Sequence, residues 1–124
     1  MSIHNQDSGG ELRVTLPFPP STNSLFRNVR GRGRVRSEAY KAWAIEAGYR
    51  VNRAARLRGP VSVSVALCAP DKRRRDADNS LKPILDLLVK HGVIEADDWS
   101  IVRSVKAEWV DEGDPCLVTI RSAA

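Results

Sequence analysis

The sequence predicts an α+β fold: a single small domain in which two main helices pack on a mixed β-sheet, in the order β-α-β-α-β-β. Three observations carry this. Residues 61–67, VSVSVAL, alternate strictly, the mark of a strand with one buried face. Residues 37–58 and 79–91 instead repeat apolar side chains every three or four positions, the period of a helix. A chain of 124 residues, 42% apolar and 28% charged, suits one globular domain with a real core.

In chain order, residues 1–10 are polar and end in Ser8-Gly9-Gly10, which predicts a flexible tail before a single domain over 11–124. The tail has no apolar segment of the kind a secretory signal needs. No apolar run approaches the ~20 residues of a membrane-spanning helix. Leu12, Val14, Leu16 and Phe18 alternate with Arg13, Thr15 and Pro17, giving a first strand. Pro17, Pro19 and Pro20 end it, and Ser21-Thr22-Asn23 turns the chain. Residues 27–36, RNVRGRGRVR, hold five arginines and two glycines, with too little to bury, so a mobile basic loop is expected. Ser37 then caps a helix whose first turn carries Glu38 at the positive end of the dipole. Tyr40, Trp43, Ala44, Ala47, Val51 and Ala54 make its apolar stripe, and Arg50, Arg53 and Arg56 fall off it. Arg56, Arg58, Gly59 and Pro60 mark its end.

The second helix takes Asn79 or Ser80 as cap and Leu81, Ile84, Leu85 and Leu88 as stripe. Pro83 is tolerated because it falls in the first turn, where amides lack intrahelical partners. Lys90, His91 and Gly92 close the helix. Ile101–Val110 and Cys116–Arg121 read as two strands, joined by Asp111–Pro115 as a hairpin and therefore paired antiparallel. Cys68 and Cys116 fall in strands and read as small buried hydrophobes. Two cysteines make neither a disulfide framework nor a zinc site, and the expected compartment is the reducing cytoplasm.

Net charge is +5, but its distribution is uneven. Residues 27–75 carry 14 basic and three acidic groups, whereas residues 76–124 carry five basic and ten acidic. Fifteen of the 20 basic residues are arginine, whose planar fork suits phosphate better than a lysine point charge does. The pattern points to a polyanion, most simply nucleic acid. Arg27, Arg30, Arg32, Arg34 and Arg36, with Lys72, Arg73, Arg74 and Arg75, are the candidate contacts.

The run from Asp71 to Asn79, DKRRRDADN, sets basic residues directly against Asp76 and Asp78. At a spacing of two, extended backbone puts both carboxylates on one side. Glu95, Asp97 and Asp98 follow about twenty residues later. If the connection after the helix folds over, one of Asp97 or Asp98 joins the first two. Carboxylates about 5 Å apart repel by roughly 3 kcal/mol at an effective dielectric of 20, which a hard divalent cation offsets. Such a set suits metal-assisted phosphodiester hydrolysis, with arginines holding the polyanion and Lys82 at the phosphate. The same residues also suit plainer roles. Asp78 and Asn79 make good helix caps, and Asp97-Asp98 an ordinary acidic turn. Trp99 reads first as core and second as an aromatic that stacks on an exposed base.

LPFPPSTN at 16–23, the basic segment 27–36, RRRDADN at 73–79, Lys82 and EADD at 95–98 together resemble the RusA family of Holliday junction resolvases. The likeness runs from about Leu12 to Arg121. It implies a Mg²⁺-dependent endonuclease, with Mn²⁺ as a substitute ion, that acts on four-way DNA junctions as a homodimer. Asp76, Asp78 and Asp98 (with Asp97 the alternative) would be the metal and catalytic carboxylates, and Lys82 the essential lysine. The implied setting is the cytoplasm of a bacterial or phage-infected cell, with no membrane partner. Two other functions remain open: a nucleic-acid-binding module without catalysis, and a Mg²⁺-dependent nuclease without junction preference.

Overall fold

A computed structural model describes residues 10–51 and 56–123. Residues 1–9 of the tail expected over 1–10 and the helix positions Arg53 and Ala54 lie outside the described residues. The elements are β1 (Glu11–Leu16), β2 (Phe26–Val29), β3 (Gly33–Arg36), α1 (Glu38–Val51), β4 (Val61–Cys68), α2 (Leu81–Lys90), β5 (Val102–Val110) and β6 (Cys116–Ser122). The fold is α+β, with a four-stranded mixed sheet ordered β1-β6-β4-β5 and a separate two-stranded ribbon of β2 and β3.

The alternation in β4 does what its sequence requires. Val61, Val63, Val65 and Leu67 are buried, and Ser62, Ser64 and Ala66 sit on the opposite face. Tyr40, Trp43, Ala47 and Val51 of α1 and Ile84, Leu87 and Leu88 of α2 join these β4 residues in one core. Both helices therefore cover a single face of the sheet.

The ends of α2 follow local chemistry. Ser80, at its N-cap, makes no side-chain cap bond, and a 3₁₀ turn over Ala77–Ser80 leads into the helix instead. At the other end Val93 N–H donates to Leu88 O (2.9 Å) and Gly92 N–H to Val89 O (3.0 Å), a Schellman closure. Gly92 sits at φ +72, which only glycine adopts freely, and a Cβ there meets Arg56 Nη1. Gly92→Ala should therefore lower stability by about 1–2 kcal/mol, read as a reduced midpoint in urea at unchanged m-value.

Three expectations need correction. Residues 27–36 are not a loop but the greater part of the β2–β3 hairpin, turning through Gly31 at φ +80. The ribbon is held by a contact across its own strands and by contacts to α1. Arg34 lies over the Phe26 ring at 4.3 Å and Arg36 over Tyr40 at 4.8 Å, and Phe26 meets Tyr40 edge-on at 5.9 Å. Arginine supplies the packing that a search for aliphatic residues misses.

Second, α1 does not run to 58. Residues 56–58 are outside any helix, and Leu57 N–H donates instead to Val93 O at 3.0 Å.

Third, β5 and β6 are not a hairpin pair. β4 lies between them, parallel to β5 and antiparallel to β6. Residues 111–115 pass over the end of β4, where Cys68 N–H donates to Pro115 O at 3.0 Å. Skipping one strand means crossing roughly 10 Å, which five residues span easily. β4 has no charged residue and takes the central place, whereas β5 carries an exposed, charged row suited to an edge.

Cys116 is fully buried opposite Leu67, and burial pushes its thiol up to about 12, whereas Cys68 is half-buried. A thiol reagent at pH 8 should label Cys68 alone in the native protein and both cysteines in urea.

Candidate functional site

After β4 the chain does not enter α2 directly. Residues 69–80 first fold along the sheet, and Asp71 organises their first half. Its carboxylate accepts Arg75 Nη1 and Nη2 at 2.5 and 3.1 Å, and the Arg73 amide and Nε at 2.9 and 3.2 Å. The Arg75 bonds first, then the Arg73 amide, hold the Asp71 carboxyl well below the usual carboxylate range. The basic run is thus partly gathered. Lys72 and Arg74 are exposed and make no ion pair among the described residues.

Asp76 is extended, at φ −98 and ψ 133, and the 3₁₀ turn starts behind it, with Asn79 N–H donating to Asp76 O at 3.1 Å. Asp78 therefore sits in a turn rather than in extended chain. Neither N-cap position, Asp76 nor Ser80, makes a side-chain cap bond. The turn is braced from LPFPPSTN by Thr22 Oγ1, which donates to Asn79 O at 2.8 Å, and Trp43 Nε1 of α1 holds that segment in turn by donating to Pro17 O at 2.8 Å.

Asp76 and Asp78 line one open groove of about 620 Å³, with Arg75, Ala77 and Leu81 beside them and Val105, Ala107 and Trp109 of β5 beneath. Both carboxylates are exposed and have no cationic partner among the described residues. Trp109 stacks on Phe18, with centroids 6.2 Å apart and planes 20° from parallel. Arg75 lies over the other aromatic, 5.4 Å from the Phe18 centroid. Beyond Phe18 is a second hollow of about 450 Å³ lined by Pro19, Pro20 and residues 73–76. Arg75 and Asp76 line both spaces.

The acidic turn lies elsewhere, ahead of β5. The Asp98 carboxylate accepts the Ser100 amide at 2.8 Å and the Ser100 hydroxyl, and these bonds lower its pKa. Asp97 lines a different hollow with Asp86 and Lys90. Among the described residues, no group of three or more His, Cys, Asp or Glu is placed to hold a metal ion. The structure thus brings Asp76 and Asp78 together and leaves Asp97 and Asp98 apart from them. Lys82 is exposed on the first turn of α2, with Nζ 3.5 Å from Asp86. Trp99 is 78% exposed with Arg103 5.6 Å from its ring, so it is not core. Arg27, Arg30, Arg32, Arg34 and Arg36 are exposed on the hairpin.

Mg²⁺ is usually held by one or two carboxylates, with water and substrate phosphate completing its shell. Asp76 and Asp78 are all-oxygen donors on one open groove and fit that mode. Asp98 turns Oδ1 to Ser100, and among the described residues it forms no three-carboxylate group with them.

Sequence reasoning missed Asp71, Thr22, Phe18 and Trp109. Asp71 had a local signal, its i, i+4 spacing to Arg75. The others meet the site through tertiary packing and had none.

An exposed carboxylate pair between an arginine cluster and a sheet edge suits hydrolysis of a polyanion. The family is specific. The model for endodeoxyribonuclease RusA matches residues 17–121, and the chain belongs to that family of DNA-cleaving enzymes. Its relatives include the crossover junction endodeoxyribonuclease RusA of Enterobacteria phage 82, 36% identical over 88 residues, covering 64% of this chain and 68% of the phage protein. The protein of the same name from Escherichia coli strain K12 has the same identity and coverage. That of Escherichia coli O139:H28 is 32% identical over 116 residues, covering 86% of this chain and 91% of its own.

Proposed function

We propose that this chain resolves four-way DNA junctions by Mg²⁺-dependent hydrolysis, making paired symmetric nicks as a homodimer. The observation that carries the reading is the shared groove of Asp76 and Asp78 beside Arg75, in a chain of the RusA family. Two carboxylates facing a phosphate are repulsive without a cation between them. Asp76 and Asp78 would hold a divalent ion, Mg²⁺ or Mn²⁺ in its place, whose chemistry there would be to activate a water and offset charge developing on the phosphate.

The chain's own residues do the rest. Arg73, Arg74 and Arg75 hold the strand's backbone. Asp71 keeps two of them ordered until phosphate competes for the same donors. Lys82 approaches the phosphate by exchanging its half-buried Asp86 partner, and a solvent-accessible pair of this kind is worth only about 0–1 kcal/mol. Lys82→Ala should slow cleavage roughly 10²-fold with junction affinity little changed. The third carboxylate is assigned to Asp98, with Asp97 the alternative, and its approach to Asp76 and Asp78 requires the acidic turn to move or a second protomer to present it.

A nick in each of two strands related by two-fold symmetry calls for two equal sites, which a C₂ dimer provides. The relatives' source in bacteria and phage fits a cytoplasmic setting. The test is a labelled four-way junction incubated with purified protein in Mg²⁺, in Mn²⁺, and in EDTA. Cleavage in both metals that vanishes in EDTA is expected. Binding without cleavage in either metal would move the protein to the class of non-catalytic DNA-binding modules.

A further inference from the structure

We infer that Trp109 is the platform on which a base flanking the scissile phosphate stacks, which makes it a positioning residue for the nucleotide being cut. The inference rests on the nuclease reading above and deepens it. Trp109 lies on the same groove as Asp76 and Asp78 and is 39% exposed, although it is on the face of β5 that faces the helices. Phe18 stacks on the indole at 6.2 Å and fixes the ring, whose exposed part lines the groove. Arg75 backs Phe18 at 5.4 Å and also lines the groove.

Carboxylates, arginine and an aromatic face thus meet within one space. These are the parts needed to hold a phosphate by charge while its base rests on a ring. Stacking tolerates any base, because every base has a π-face. Val105 and Ala107 continue the floor beside Trp109 with apolar side chains. Trp99 is more exposed, but it stands beside Asp97 and Asp98 and does not line this groove.

The test combines a protein change with a DNA change. Once the nick is mapped on the junction, an abasic site replaces the base on one side of it or the other. Wild type, Trp109→Ala, Trp109→Phe and Trp99→Ala are compared by kcat/KM. Removing the stacked base should cost wild type roughly 5- to 150-fold, the range for one base on one ring. Trp109→Ala should lose a similar factor on intact DNA and no more on the abasic junction. Trp109→Phe should stay near wild type. Trp99→Ala should remain as sensitive to the missing base as wild type.

Independent, multiplying losses from Trp109→Ala and the abasic site would overturn the inference. So would sensitivity that disappears in Trp99→Ala instead. The abasic substrates leave the protein intact, so even if Trp109→Ala does not fold, wild type losing nothing at either flanking position is decisive against it. Failure of the nuclease reading shows separately, as no cleavage of the intact junction by wild type.

Discussion

Asp78→Asn should bind a four-way junction as tightly as wild type and cut it about 10²- to 10⁴-fold more slowly. The substitution keeps the shape of the side chain and removes its charge. Asp78 is exposed in the turn after Asp76, and no side-chain cap bond at Asp76 or Ser80 depends on it. The fold therefore loses little. Cation stabilisation of charge at phosphate is worth several kcal/mol, and each 1.36 kcal/mol is tenfold in rate. On the proposed reading affinity resides in the arginines, so removing one negative charge from the groove should leave binding equal or slightly stronger. Single-turnover cleavage and a gel-shift titration in Ca²⁺ or EDTA separate the two effects. A variant that cuts at the wild-type rate would remove Asp78 from the site.

The second large effect concerns the hairpin. Replacing Arg27, Arg30 and Arg32 by Gln should flatten the dependence of log affinity on log salt by about 0.9 for each phosphate no longer neutralised. If all three touch phosphate, the slope changes by about 2.7 and affinity at 0.1 M salt falls about 10²- to 10³-fold. These three are exposed and make none of the ring contacts that Arg34 and Arg36 make with Phe26 and Tyr40. The ribbon should keep its form without them. An unchanged salt slope would mean that the ribbon stands away from DNA and that residues 72–75 neutralise the phosphates.

What could be read from the sequence was what local pattern decides. β4 alternates because one of its faces is buried, and α2 closes at Gly92 because the chain there needs a positive φ. Ser37 caps α1 as its position suggests, accepting the Tyr40 amide at 3.1 Å. The hairpin of β2 and β3 was hidden because its own Phe26 and the neighbouring Tyr40 of α1 are covered by guanidinium groups rather than by aliphatic ones. The place of β5 was hidden for a different reason. A five-residue connection fits both a hairpin and a step over one strand, and only the claim of uncharged β4 on the central position decides between them.

The site divides along the same line. That Asp76 and Asp78 lie together was legible because they are two residues apart in one segment, although a 3₁₀ turn rather than the expected extended chain brings both to the groove. The third carboxylate depends on how a distant turn lies against that groove, and in this structure Asp98 is bonded to its own Ser100. Trp109 and Phe18 are 91 positions apart, and no local spacing announces their stack.

Junction resolution at the groove of Asp76 and Asp78 stands or falls on strand-by-strand mapping of the cuts. Four copies of one junction, each labelled in a different strand, are incubated with the protein in Mg²⁺ beside a linear duplex of the same arm sequences. Nicks are expected in two opposed strands at symmetry-related positions, with the duplex intact. Equal cutting of the duplex, or nicks scattered over all four strands, would overturn that reading and leave a nuclease without junction preference.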